Sequence, residues 1–208
     1  KSVITVSVIS AILSIMMIRM VKFPFKAPDE DETLFSIDRF FLPQGIWLFI
    51  NLTIVTTVMG LIMSLPLTFV FYGMMMMGFF IALLAQKFVF VNAELKSEII
   101  TGLILLAFAL LMLLTRKLLI VKYVSPLLIG LGIGIIGARF LLFFIKLSRH
   151  CQRGTSQSTF FLSWELGLSL GLYLGYTFFY GNIHPLLIIS LILIALALVM
   201  YNFFTHPW

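Results

Sequence analysis

Cysteine is almost missing: Cys151 is the only one in 208 residues. One thiol excludes a disulfide framework and leaves no Cys/His spacing that could build a structural metal site. His150 stands beside it, but two adjacent side chains without further ligands make a poor metal site, so neither metal nor cofactor is expected. Charge is scarce as well, at 11% of residues against 62% hydrophobic. A chain of this length and balance cannot cover a water-soluble surface. Acidic residues number 8 against 14 basic ones, a formal net charge of +6. The basic residues form no patch interleaved with aromatics and instead punctuate the gaps between apolar runs, which excludes nucleic acid as a partner. Catalytic sets are lacking too. No segment offers a paired acid and base, a histidine cluster or an activated nucleophile, and His184 and His206 stand alone near the ends of apolar runs, so no enzyme is expected.

What the chain does have is apolar length. Mean hydropathy is +1.15, and a spanning helix needs about 20 mainly apolar residues. Seven runs meet that need, at roughly 2–19, 45–65, 67–91, 98–115, 124–147, 158–180 and 185–204. The fold class is therefore all-α, a polytopic transmembrane bundle of about seven spanning helices, with the lipid bilayer as its first partner. The opening run, Val3 to Met17, is followed by Arg19, Lys22 and Lys26 with no small-residue cleavage site. It reads as a spanning helix belonging to a longer protein rather than as a signal peptide.

The gap from Val21 to Gly45 carries Lys22, Lys26, Arg39, the acidic run Asp29 to Glu32, and Pro24, Pro28 and Pro43. It is too polar to cross and too long for a tight hairpin. Residues 1–19 are thus a first helix, 20–44 a cytoplasmic linker and 45–208 a six-helix bundle. With the linker in the cytoplasm, that side receives Arg19, Lys22, Lys26, Arg39, Lys87, Lys96, Lys146, Arg149 and Arg153. The other side receives Lys1, Arg116, Lys117 and Lys122, and the bias favours this orientation.

Glycines and small polar residues mark helix faces. Gly132 to Gly137 reads GIGIIG, formally a dinucleotide fingerprint, but inside a spanning helix rather than at a strand-to-helix turn it has no such meaning. Gly130 and Gly134 instead form a flat face for close packing, as do Gly167, Gly171 and Gly175 in the sixth run. A different face of that run carries Glu165, Ser169, Leu172 and Tyr176, the pattern of a helix lining a cavity. In the second run Thr53, Thr57, Gly60 and Ser64 make one polar stripe. It is read either as cavity lining or as hydroxyls bonded back to their own helix. Asn51 lies well round from that stripe and is a separate cavity candidate. Met74 to Met77 suits an adaptable apolar surface or plain filler.

Two opposite charges, Arg139 and Glu165, stand inside spanning runs, where each alone would cost roughly 2.5–3.5 kcal/mol. Measured from the expected ends of their runs, both lie about 10 Å deep, so they can pair if they face one another. Three readings stand. The pair holds two helices in register; or Glu165 is a protonation switch that couples proton movement to transport; or Arg139 binds an anionic substrate with Glu165 as its resting partner.

From Gly134 to Gly171 the chain reads GIIGARFLLFFIKLSRHCQRGTSQSTFFLSWELGLSLG. A glycine-rich helix, a basic loop with Arg153-Gly154, and a small-residue helix carrying Glu165 resemble the tenth and eleventh helices of the major facilitator superfamily. The resemblance implies that the first run is helix six, residues 20–44 the central linker and the rest helices seven to twelve. The missing N-terminal half of the same transporter is then a partner. The family's signature between its eighth and ninth helices has no counterpart in QKFVFVNAELKSE, from Gln86 to Glu98. The implied function is secondary active transport of a small-molecule substrate by alternating access in the bacterial cytoplasmic (inner) membrane, proton-coupled through Glu165 and suited to efflux of apolar compounds. A non-transporting membrane subunit or receptor-like bundle is the alternative.

Overall fold

In the computed structural model, residues 2–20, 41–90, 93–115, 118–149 and 152–205 are described. The chain divides into two compact units, Lys1–Ser36 and Ile37–Trp208. In the first, α1 spans Ser2–Met20 and carries Arg19 in its last turn. Most of the expected linker, with Pro24, Pro28 and the acidic run, lies outside the described residues, as do Arg116, Lys117, His150, Cys151 and His206.

The second unit is all-helical among the described residues. A 3-10 turn at Pro43–Gly45 leads into α2 (Ile46–Met63), followed by α3 (Phe69–Phe88), α4 (Leu95–Thr115), α5 (Val121–Leu147), α6 (Arg153–Phe178) and α7 (Ile183–Met200). Two of the breaks have a visible local cause. Pro66 stops α2 and cannot extend its ladder, and the Thr68 hydroxyl caps α3 by accepting from the Phe71 N–H at 3.4 Å. Between α6 and α7 the chain turns at Gly181, whose φ of +79° is a left-handed conformation that side chains resist. Gly181→Ala is expected to lower stability by about 1–2 kcal/mol, read by thermal unfolding in detergent.

Five helices, α2, α3, α4, α5 and α7, are long and apolar enough to cross a membrane. Seven were expected. The described apolar stretch of α1, Val8–Met17, is shorter than a span, and α6, at 26 residues, has the length without the apolarity. Position nevertheless requires α6 to traverse the bundle. At its start Thr159 accepts from the Leu42 N–H at 2.8 Å, beside the Pro43 turn. Near its far end Tyr176 and Phe179 stand with Ser64, Pro66 and Ile183, at the opposite end of α2.

Adjacent helices alternate in direction. Beyond that, α2 packs most extensively on α6, and α3 on α5, each pair running parallel; α4 lies antiparallel against α5, and α7 bridges α2 and α4. Exchanging α2, α3, α4 with α5, α6, α7 maps the two dominant pairings onto each other. Each helix of the first triplet starts at the opposite end of the bundle from its counterpart in the second, α2 at the Pro43 end and α5 at the Pro66 end, so the bundle consists of two interleaved, inverted three-helix units. Both parallel pairings rest on facing glycines. A Cβ on Gly171 would overlap the Thr57 carbonyl, and one on Gly130 would overlap the Met75 carbonyl. The core lies among α2, α4, α5 and α7, with Leu52, Leu103, Ile129, Phe140 and Ile194 wholly buried. Apolar contact and close backbone approach, rather than expulsion of water, hold such a bundle in lipid.

Candidate functional site

α5 is the hub of the bundle, and the GIGIIG glycines show how. Gly132 lies against Gly102 and Leu106 of α4, Gly134 against Phe79 and Ala82 of α3, and Gly137 against the Trp164 ring of α6. Each glycine admits a different neighbour. Gly130, one turn before Gly134, admits the Met75 backbone of α3.

Arg139, on α5 near the Pro43 end, is ion-paired through its Nε to Glu98 Oε2, not to Glu165. The pair is enclosed: the Glu98 side chain is 2% exposed and that of Arg139 19%. The pairing with Glu165 that the sequence left open is not made, for a geometric reason. Side chains on successive residues of a helix diverge by about 100°, and Arg139 points at α4 while Gly137 and Ala138 present α5 to α6. Glu98 had not been singled out. α4 begins at Leu95, three residues before the expected boundary, which places Glu98 in its first turn, level with Arg139 on the antiparallel neighbour.

Glu165 therefore stands without a cation: among the described residues none pairs with it. It also lies deeper than expected. Because α6 begins at Arg153 rather than Ser158, Glu165 is about 18 Å from the helix start at 1.5 Å per residue, halfway along the helix. Glu165, Ser169 and Tyr176 are all exposed on one face, with the Ser169 hydroxyl donating to the Glu165 carbonyl at 2.7 Å. The opposite edge, Gly167, Gly171 and Gly175, is buried against α2.

The threonine stripe of α2 meets that glycine edge along most of its length. Thr53 and Thr56 face Gly167, Thr57 and Gly60 face Gly171, and Ser64 faces Gly175. Their hydroxyls bond back along the helix: Thr53 to the Phe49 carbonyl at 2.8 Å, Thr57 to that of Thr53 at 2.7 Å, Ser64 to that of Leu61 at 2.7 Å. Thr56, absent from the expected stripe, donates across the seam to the Ser163 carbonyl at 3.3 Å. Asn51 is fully buried, and its Nδ2 donates to the Ala197 carbonyl of α7 at 2.7 Å. Ser64 also borders open space, in a recess of about 420 Å³ shared with Tyr176.

A second hollow, of about 470 Å³, opens between α3, α5 and α6 and is lined by Phe79, Gly134, Gly137, Phe160, Phe161, Trp164 and Glu165 among others. Its α6 wall is a packed aromatic set: Phe160 lies 5.4 Å from Phe161 edge-on and 6.0 Å from Trp164 between ring centroids. Sequence reading placed Glu165 on a cavity-lining face but missed these rings, since aromatics are common in any membrane helix. The chain, compared with family models, curated proteins and solved structures, matches none of them.

Proposed function

We propose that the bundle is one half of a secondary active transporter of the major-facilitator type, moving a small solute by alternating access. The observation that carries this reading is the outer face of α6, where Glu165 lies exposed halfway along the helix, with Ser169 and Tyr176 exposed beyond it on the same face. Hydrocarbon is a poor medium for a carboxylate, so this face belongs against water or another protein surface. The inverted three-helix units add support, because this is the internal plan of transporter halves whose site lies at the interface between repeats near the midplane. A second helical bundle facing α6 would close a water-filled path, and proton binding at Glu165 would bias which end is open. Location in a bacterial cytoplasmic membrane and export of apolar compounds belong to the same proposal.

The test is water access to α6 in the full-length protein. With Cys151→Ser removing the native thiol, Ser169→Cys reconstituted in vesicles is expected to react with a membrane-impermeant maleimide. An imposed proton gradient is expected to change the labelling rate severalfold, and Glu165→Gln to abolish that change. A thiol at this position that reacts only with membrane-permeant reagents would place the face in lipid and overturn the reading.

A further inference from the structure

We propose that the groove between α3, α5 and α6 binds an apolar organic cation, its charge on the Glu165 carboxylate and its body against the rings of Phe160, Phe161 and Trp164. This deepens the transport reading and rests on it for the claim that the bound molecule is cargo; the binding itself rests on the groove.

Charge supplies the first argument. The chain has an excess of basic residues, yet none of the described ones pairs with Glu165, which lies exposed on the groove wall, whereas Glu98, buried in α4, is ion-paired to Arg139. The Glu165 carboxylate therefore has no described cation beside it and is available to a positive charge entering the groove. Shape supplies the second. A hollow of about 470 Å³ is the size of a small-molecule site, far larger than a proton or a hydrated metal ion requires, and its walls are carbon.

The rings supply the third. Aromatic faces attract cations through their negative quadrupole, and the attraction strengthens where water is thin. Phe160 is 7% exposed and holds both Phe161 and Trp164 in ring contact, so the wall is built before the ligand arrives. Gly137 belongs to the same construction: a Cβ there would press on the Trp164 ring at 3.3 Å, so glycine lets the indole lie against α5 at the floor of the groove. Depth decides the source of the cation. Glu165 stands about 18 Å along its helix, beyond the reach of a choline headgroup in the surrounding lipid, so the ligand is a free solute with a delocalised or shielded positive charge.

Equilibrium dialysis of radiolabelled tetraphenylphosphonium against the full-length protein in detergent tests the assignment, with triphenylmethanol as a neutral probe of similar body and choline as a competitor. Saturable binding of the cation is expected, with Glu165→Gln weakening it at least tenfold, Glu165→Asp retaining most of it and Trp164→Leu weakening it roughly threefold to thirtyfold. Choline, small and strongly hydrated, is expected to compete poorly. Equal affinity of the Glu165→Gln variant, or a neutral probe that binds as tightly as the cation, would overturn the proposal, as would absence of saturable binding. Those results would leave the transport reading standing if Ser169→Cys still reacts with impermeant maleimide; loss of that labelling would remove both.

Discussion

Glu98→Ala is expected to destabilise the bundle by about 3–5 kcal/mol, the penalty for removing one partner of a buried ion pair. The cost does not come from the worth of the pair, which is modest once both charges have been desolvated. It comes from Arg139, whose guanidinium would remain in a largely enclosed position between α4 and α5 with no anion to meet it. A double variant in which Arg139→Leu accompanies Glu98→Ala should recover much of the loss, since removing both charges leaves only a packing defect. The contrast is Glu165→Gln, which alters an exposed side chain without a described ion-pair partner and should shift stability by about 0.5 kcal/mol or less. Thermal unfolding in detergent, followed by circular dichroism across this cycle of variants, reads all of these. If both single variants of the Arg139 and Glu98 pair melt with the parent and show no coupling, the pair does not hold α4 to α5.

The second large effect is at the glycine crossings. Gly171→Val and Gly130→Val are each expected to prevent a stable bundle, beyond the usual 1–3 kcal/mol of core overpacking, because what they would strike is main chain. A flexible side chain can swing away; the carbonyls of Thr57 and Met75 cannot move without displacing α2 or α3 as a whole. Gly73→Ala is the internal control, since nothing lies within 4 Å of its added methyl, and in mid-helix that change should stabilise by roughly 0.5–1 kcal/mol. Size-exclusion profiles and melting points of the three variants separate the outcomes: equal behaviour of Gly171→Val and Gly73→Ala would deny that the α2 and α6 backbones touch.

The helices themselves were legible because uninterrupted apolar length is a strong signal, and the glycine edges were legible because spacing alone assigns them to a face. Which face met which neighbour was not. In a water-soluble helix the apolar stripe points inward, but here the exposed Phe80 and the buried Phe140 are chemically alike, so the pattern carries little information about direction. Arg139 shows the consequence. Its partner was sought on α6, next in sequence, whereas the residue that meets it comes 41 positions earlier on a helix whose start lay at the edge of its apolar run. The stripe on α2 was open for a different reason: Thr53, Thr57 and Ser64 look the same in sequence whether they face water or pack on glycine, and the matching small-residue edge of α6 is what they meet.

The parallel seams also constrain how the chain is made. Each joins a helix of the first triplet to one of the second, and the Thr53 hydroxyl meets the Ser163 carbonyl across 110 residues. At about 5–20 residues per second of synthesis, α2 spends roughly 5–20 s in the bilayer before α6 has left the ribosome. During that interval its threonine-bearing edge and the Met75 edge of α3 have no native partner, so the nascent chain depends on the insertion machinery, or a chaperone in the membrane, to shield both seams until the second triplet arrives.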